Sequence, residues 1–141
     1  TISANDIEEN IGFSKDYNIF ELRKAIGEKN QLKSYKIAQY FSENHKDHPM
    51  LMTTGMLFSF FVQLLQYHGL KDKNPKNVAA VLKVNPFFLK DYDLAFRNYP
   101  MKKVSKIVTL LREIDVKSKG VGSNSLPQHE LLKEMLVGIF N

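Results

Sequence analysis

Apolar residues recur along this chain at three- and four-residue intervals and not in alternation, so the pattern predicts helices and no convincing strand. In "SKDYNIFELRKAIGEKNQLKSYKIAQYF", Ser14 to Phe41, Asn18 can cap a helix and Glu21, three residues on, can close a capping box, which starts a helix at Ile19. Ile19, Phe20, Leu22, Ala25 and Ile26 make one stripe, with Arg23, Lys24 and Glu28 off it. Gly27 and the "EKN" after it loosen the chain. A second helix then carries Leu32, Tyr35, Lys36, Ile37, Ala38, Tyr40 and Phe41, with Lys33 and Ser34 outward.

The longest apolar run, Met50 to Tyr67, is predicted to be the central core helix, begun by Pro49 and stopped at Gly69, which suits a left-handed closing position. Phe58, Phe61, Leu64 and Leu65 are its expected core residues. Thr53, Thr54, Gly55, Ser59, Gln63 and Gln66 interrupt the run, leaving apolar stretches well short of the roughly 20 residues that span a bilayer. Asn74 and Pro75 open a short helix through Val78, Ala79, Val81 and Leu82, and the "VNP" of Val84 to Pro86 breaks it. "PFFLKDYDLAFRNY" follows with Phe88, Leu89, Tyr92, Leu94, Ala95, Phe96 and Tyr99 on a wide apolar side. Pro100 begins a helix striped by Val104, Ile107, Val108, Leu110, Leu111 and Ile114, which Gly120 ends. After the loop Gly120 to Ser125, Pro127 starts a terminal helix with Glu130 and Glu134 outward. The expectation is an all-α bundle of about seven or eight helices without internal repeats.

At 141 residues and 43% hydrophobic content the chain can build one core. The absence of cysteine excludes disulfides, thiolate metal sites and a thiol nucleophile, and fits a reducing cytoplasm. The chain opens at Thr1 without a methionine, while its first residues already read as structured, so it reads as a piece of a longer protein with further function upstream. Charge is uneven. Residues 1–70 carry seven Lys or Arg against eight Asp or Glu, and residues 71–141 carry thirteen against seven, a difference of −1 to +6. Lys71, Lys73 and Lys76 share a loop, and Lys102, Lys103, Lys106, Lys117 and Lys119 punctuate one helix, a spread able to meet phosphates weakly, with Lys102, Lys103 and Lys106 as the candidate contacts. A solvated helical surface explains the same lysines, and no arginine cluster suited to guanine readout accompanies them.

Catalytic constellations are weaker still. His45 and His48 are spaced to share a metal, but Asp47 is the sole nearby carboxylate and no third ligand has a fixed relation to them. His68 and His129 are isolated at helix ends, and Ser118, Ser123 and Ser125 have no positioned base. "GVGSN" has neither the preceding strand nor the lysine of a phosphate loop. The chain is expected to be no enzyme, with no cofactor and no metal.

Four quoted pieces carry a resemblance through their order and spacing: "NIFELRKAI" after an acidic helix, "HPMLM" after a helix of the "KIAQYF" kind, "NPFFLKDYDLAFRNY", and "LLREIDVKSKG" from Leu110 to Gly120. The resemblance they anchor runs over nearly the whole chain, which resembles the C-terminal part of the delta subunit of the bacterial DNA polymerase III clamp loader. The resemblance implies an all-helical collar domain through which subunits assemble into a pentameric ring. It also implies that residues 1–16 end a preceding lid-like domain, with Ser3 and Asp6 as the cap pattern of a last helix over Thr1 to Ile11, and that the collar occupies 17–141. The implied partners are delta-prime and gamma/tau-type subunits. The sliding clamp is met through an N-terminal domain absent here, DNA is met indirectly or weakly, and no membrane is involved. The parent complex is associated with DNA-directed DNA polymerase activity in the cytoplasm.

Within that frame, the terminal helix is the candidate interface. Leu131, Leu132, Met135, Leu136, Val137, Ile139 and Phe140 exceed what one buried stripe needs, so Leu132, Met135, Leu136, Ile139 and Phe140 are expected to meet adjacent subunits. Two alternatives stay open: the terminal helix fills its own core on two sides, which moves the interface to the helix from Phe87 to Tyr99, or the chain is a free-standing basic helical module that binds nucleic acid.

Overall fold

The computed structural model describes residues 16–120 and 127–141. Seven α-helices and no strand lie among them: α1 (Ile19–Gly27), α2 (Gln31–Glu43), α3 (Met50–Gly69), α4 (Pro75–Leu82), α5 (Leu89–Asn98), α6 (Met101–Ser118) and α7 (Gln128–Phe140), with a single 3₁₀ turn at Pro86–Phe88 before α5. The segment 1–16 expected to end a lid-like domain, with Ser3 and Asp6, lies outside the described residues except for Asp16, and of the expected loop from Gly120 to Ser125 only Gly120 lies within them.

Local chemistry sets most of the boundaries. Asn18 Oδ1 accepts from the Glu21 N–H at 2.9 Å, and Glu21 accepts from the Asn18 N–H at 3.3 Å, so the capping box at α1 is complete. Asn74 and Asn85 accept from the N–H groups two residues on and open α4 and the 3₁₀ turn, each followed by a proline whose missing N–H costs nothing there. Gly120, at φ +73°, closes α6.

Two glycine expectations are corrected. Gly69 is the last residue of α3 and takes no left-handed turn, because the chain leaves it extended through Leu70. Gly27 does not loosen the chain either: it is buried, and a Cβ there would stand 3.3 Å from that of Ala95, so it lets α1 and α5 approach closely. The left-handed residue of that turn is Lys29, at φ 57°.

The long helices α3 and α6 pair along their length. Helix α7 lies across α2 and α6, while α1 joins α2 to α5, and α4 and α5 close the far side of α3. Helix α3 is long and apolar enough to pass a membrane-span test by length and composition, yet it packs against α1, α4, α5 and α6, the position of a core helix. Its inward face is Met50, Thr53, Thr54, Leu57, Phe60, Phe61, Leu64 and Tyr67. Phe61 and Leu64 are buried as expected, whereas Phe58 and Leu65 are half-buried at the edge and Leu57 and Phe60 take the inner places. In α2 Ile37, Ala38 and Phe41 are buried and Lys33 is outward as expected, but Leu32 and Ser34 exchange places. Leu32 is 83% exposed and Ser34 is buried, because the Ser34 hydroxyl donates to the Asn30 carbonyl at 2.8 Å and enters the core with its polarity satisfied.

Hydrogen bonds between distant segments pin the packing. The Tyr99 hydroxyl donates to the Ile26 carbonyl at 2.6 Å, Asn98 Nδ2 to the Gly27 carbonyl at 2.9 Å, and Gln128 Nε2 to the His48 carbonyl at 2.8 Å. The Ile26 carbonyl also accepts from the Lys29 N–H, so Tyr99→Phe does not orphan it and should cost only about 1 kcal/mol in a chemical denaturation experiment. Burial pushes the Tyr99 phenol up, burial and then Asp93 do the same for Tyr67, and burial raises Tyr92. The hydrogen bond to Asp16 is the main cause that lifts half-buried Tyr40 to about 12. All four phenols hold their protons more tightly folded than unfolded. Stability is therefore intact below about pH 10, where the unfolded phenols begin to ionise, and is lost as pH rises toward the folded values. A melting temperature flat to about pH 10 and falling beyond it is expected, and constancy through about pH 11 would contradict it.

Candidate subunit-interaction surface

Four of the five interface residues expected on α7 are corrected by their position. Leu132, Met135, Leu136 and Ile139 are buried inside the domain, where α7 crosses α2 and α6, and in this fold they are not available to another subunit. Phe140 is half-buried, its ring centroid 6.3 Å from that of Tyr35, and Val137 is the exposed apolar residue of the helix. Helix α7 has a wide apolar side because two neighbours cover it.

The lysines are distributed by use. Lys102 and Lys106 are exposed on α6. Lys103 instead turns back on the fold, and its Nζ donates to the Gly138 carbonyl at 3.1 Å, serving one of the last four carbonyls of α7 that lack a helical partner. Its ammonium is shifted down, chiefly by partial burial and then by Lys106 and Lys29. Lys117 pairs with Glu134 at 2.7 Å and Lys119 with Asp115 at 2.9 Å. Of the three candidate phosphate contacts, two therefore keep their charge in solvent and the third is a helix-end donor.

Two of the four histidines pack into the fold. His48 stacks on Phe41 at 4.1 Å with the rings nearly parallel, and His68 Nε2 lies 2.7 Å from the Tyr99 carbonyl beside the Phe96 ring. Among the described residues no three His, Cys, Asp or Glu side chains group as metal ligands would.

Two apolar surfaces that the chain's periodicity did not single out remain uncovered. One is an aromatic groove of about 510 Å³ between α1 and the start of α5, lined by Phe20, Arg23, Val84, Phe88 and Tyr92. The Arg23 guanidinium lies 5.3 Å from the Phe20 ring and 5.6 Å from that of Tyr92, and Phe87 beside it is 83% exposed. The other is the outward side of α3, where Leu51, Gly55, Ser59 and Gln66 are exposed and Phe58 and Val62 half-buried, following one another at helical spacing. Its signal was present in the sequence: the twenty residues of α3 contain no Asp, Glu, Lys or Arg, so the helix has no charged side to give to water.

These features define an all-helical bundle domain whose polar side chains are spent on caps and interhelical bonds and which leaves uncharged helix surface open. The family model for the DNA polymerase III delta subunit, C-terminal domain, matches residues 16–137, and the chain belongs to that family, a component of the replication clamp loader. No curated protein and no solved structure matches it.

Proposed function

We propose that this domain is a non-catalytic assembly module that holds the delta subunit in the clamp-loader pentamer, beside delta-prime and gamma/tau-type subunits, for loading of the sliding clamp onto DNA. The observation that carries the reading is the family match over residues 16–137. The structure supports it through exposed apolar side chains that the domain's own core does not use, including Phe20, Leu51, Met52, Phe87 and Met101. Clamp contact belongs to an N-terminal domain outside this chain, contact with DNA is weak or indirect, and the setting is the cytoplasm. The competing nucleic-acid reading loses support because Lys103, Lys117 and Lys119 are engaged within the domain.

The test sets purified delta-prime and gamma/tau-type subunits against duplex and primed DNA as ligands in a salt titration. Co-elution with the subunits, persisting as salt rises, is expected. DNA affinity alone, falling steeply with salt, would replace this reading with the nucleic-acid one. Calorimetry with ATP should give no saturable heat, since the described residues hold no strand to carry a phosphate loop.

A further inference from the structure

The geometry points to the outward face of α3 as a seat for an amphipathic helix of an adjacent clamp-loader subunit, apolar along its contact edge and acidic on its flanks. The inference rests on the assembly reading above and names the surface that reading requires. Only eight of the twenty α3 residues are buried, although the helix is the most uniformly apolar of the chain. An outward face on a solvated helix ordinarily carries lysines and glutamates, and this one carries Leu51, Gly55, Phe58, Ser59, Val62 and Gln66. Leu51 is 58% exposed. From Leu51 to Gln66 the ridge runs about 22 Å, four helical turns and enough for one docked helix.

Depressions flank the face on both sides. One of about 370 Å³ lies on the α6 side and reaches Leu111 and Arg112, and one of about 390 Å³ lies on the α4 side and reaches Val81 and Lys83; Phe58 lines both, and with the ridge between them they make a track across α3. Apart from the helix's own nearby backbone and the two chain neighbours, no heavy atom lies within 4 Å of a Cβ built on Gly55, which leaves open room in the floor.

Charge supplies the rest of the partner's description. Lys83 and Arg112 stand on opposite rims of the track, and Arg112 lies 5.9 Å over the Phe58 ring. Asp115, the acidic residue on the track, is taken by Lys119 at 2.9 Å, so the rims are left cationic and complement acidic flanks.

The experiment uses the full delta chain with delta-prime and gamma/tau-type subunits, reading Kd by calorimetry and Tm in parallel. Gly55→Gln adds bulk in the open floor while replacing glycine by a better helix former, so Tm should hold or rise while Kd weakens about tenfold or more. Val62→Glu should act in the same direction, and Lys83→Glu with Arg112→Glu should slow association and reverse its salt dependence. Phe87→Ser, in the aromatic groove, should leave Kd unchanged. Unchanged Kd in Gly55→Gln and Val62→Glu, with wild type binding normally, overturns this face and leaves the assembly reading intact. Failure of the wild type to bind any subunit removes both. A wild-type dimer in sedimentation that Gly55→Gln splits would assign the face to a second copy, and binding to phosphatidylglycerol vesicles abolished by Val62→Glu would assign it to a membrane; either result overturns the proposal.

Discussion

Met135→Asp should leave this domain unfolded at ordinary temperature, while Phe140→Asp, five residues away on the same helix, should leave it folded. Met135 has no exposed surface and sits where α7 crosses α2 and α6. Removing a buried methionine side chain costs about 2 to 5 kcal/mol through lost burial and the cavity left behind. Burying a carboxyl group there adds several kcal/mol, or forces it to stay protonated at a similar cost. The sum is comparable to the whole stability of a domain, about 5 to 15 kcal/mol. Phe140 is half-buried at the end of the helix, where an aspartate carboxylate reaches water, so its loss is expected at about 2 kcal/mol or less. Circular dichroism melts of the two variants measure the contrast. A wild-type melting temperature for Met135→Asp would mean that α7 does not lie in the core, and would return Leu132, Met135, Leu136 and Ile139 to the candidate interface.

Phe61→Ala should be the most damaging simple truncation on α3, at about 3 to 5 kcal/mol. The ring is fully buried, edge-on to Phe60 at 5.4 Å and to Tyr99 at 5.5 Å, so it joins α3 to the residue that ties α5 back to α1. Aromatic pairs of this geometry add to plain area burial, and both are lost together. The expected fall in melting temperature is about 10 to 20 °C for a domain of this size. Phe58→Ala, on the half-buried edge, is the control and should lose much less. A loss below about 1 kcal/mol at Phe61 would place its ring on the surface.

Helix existence and most helix starts were legible in the chain because capping and proline chemistry act over three or four residues. Asn18 with Glu21, Asn74 with Pro75, Pro100 and Pro127 mark their starts without help from the rest of the molecule. All four quoted motifs lie within the residues that the family model matches.

Which apolar residues face inward was decided only by tertiary structure. Leu32 and Ser34 differ by two positions in α2, and nothing in the helical period says that a serine able to bond the Asn30 carbonyl will be covered while a leucine is left in water. The wide apolar side of α7 reads equally as a double-sided core helix or as an exposed interface. Neighbours contributed by α2 and α6, remote in sequence, cover it and make it core. Conversely α3, which reads as the helix buried on most sides, keeps one uncharged ridge open because α4 and α6 flank it without closing over Gly55. A sequence period sets how wide an apolar face is. Coverage depends on which other helices reach that face, and contacts such as Tyr99 to Ile26 and Gln128 to His48, between residues far apart along the chain, fix that reach.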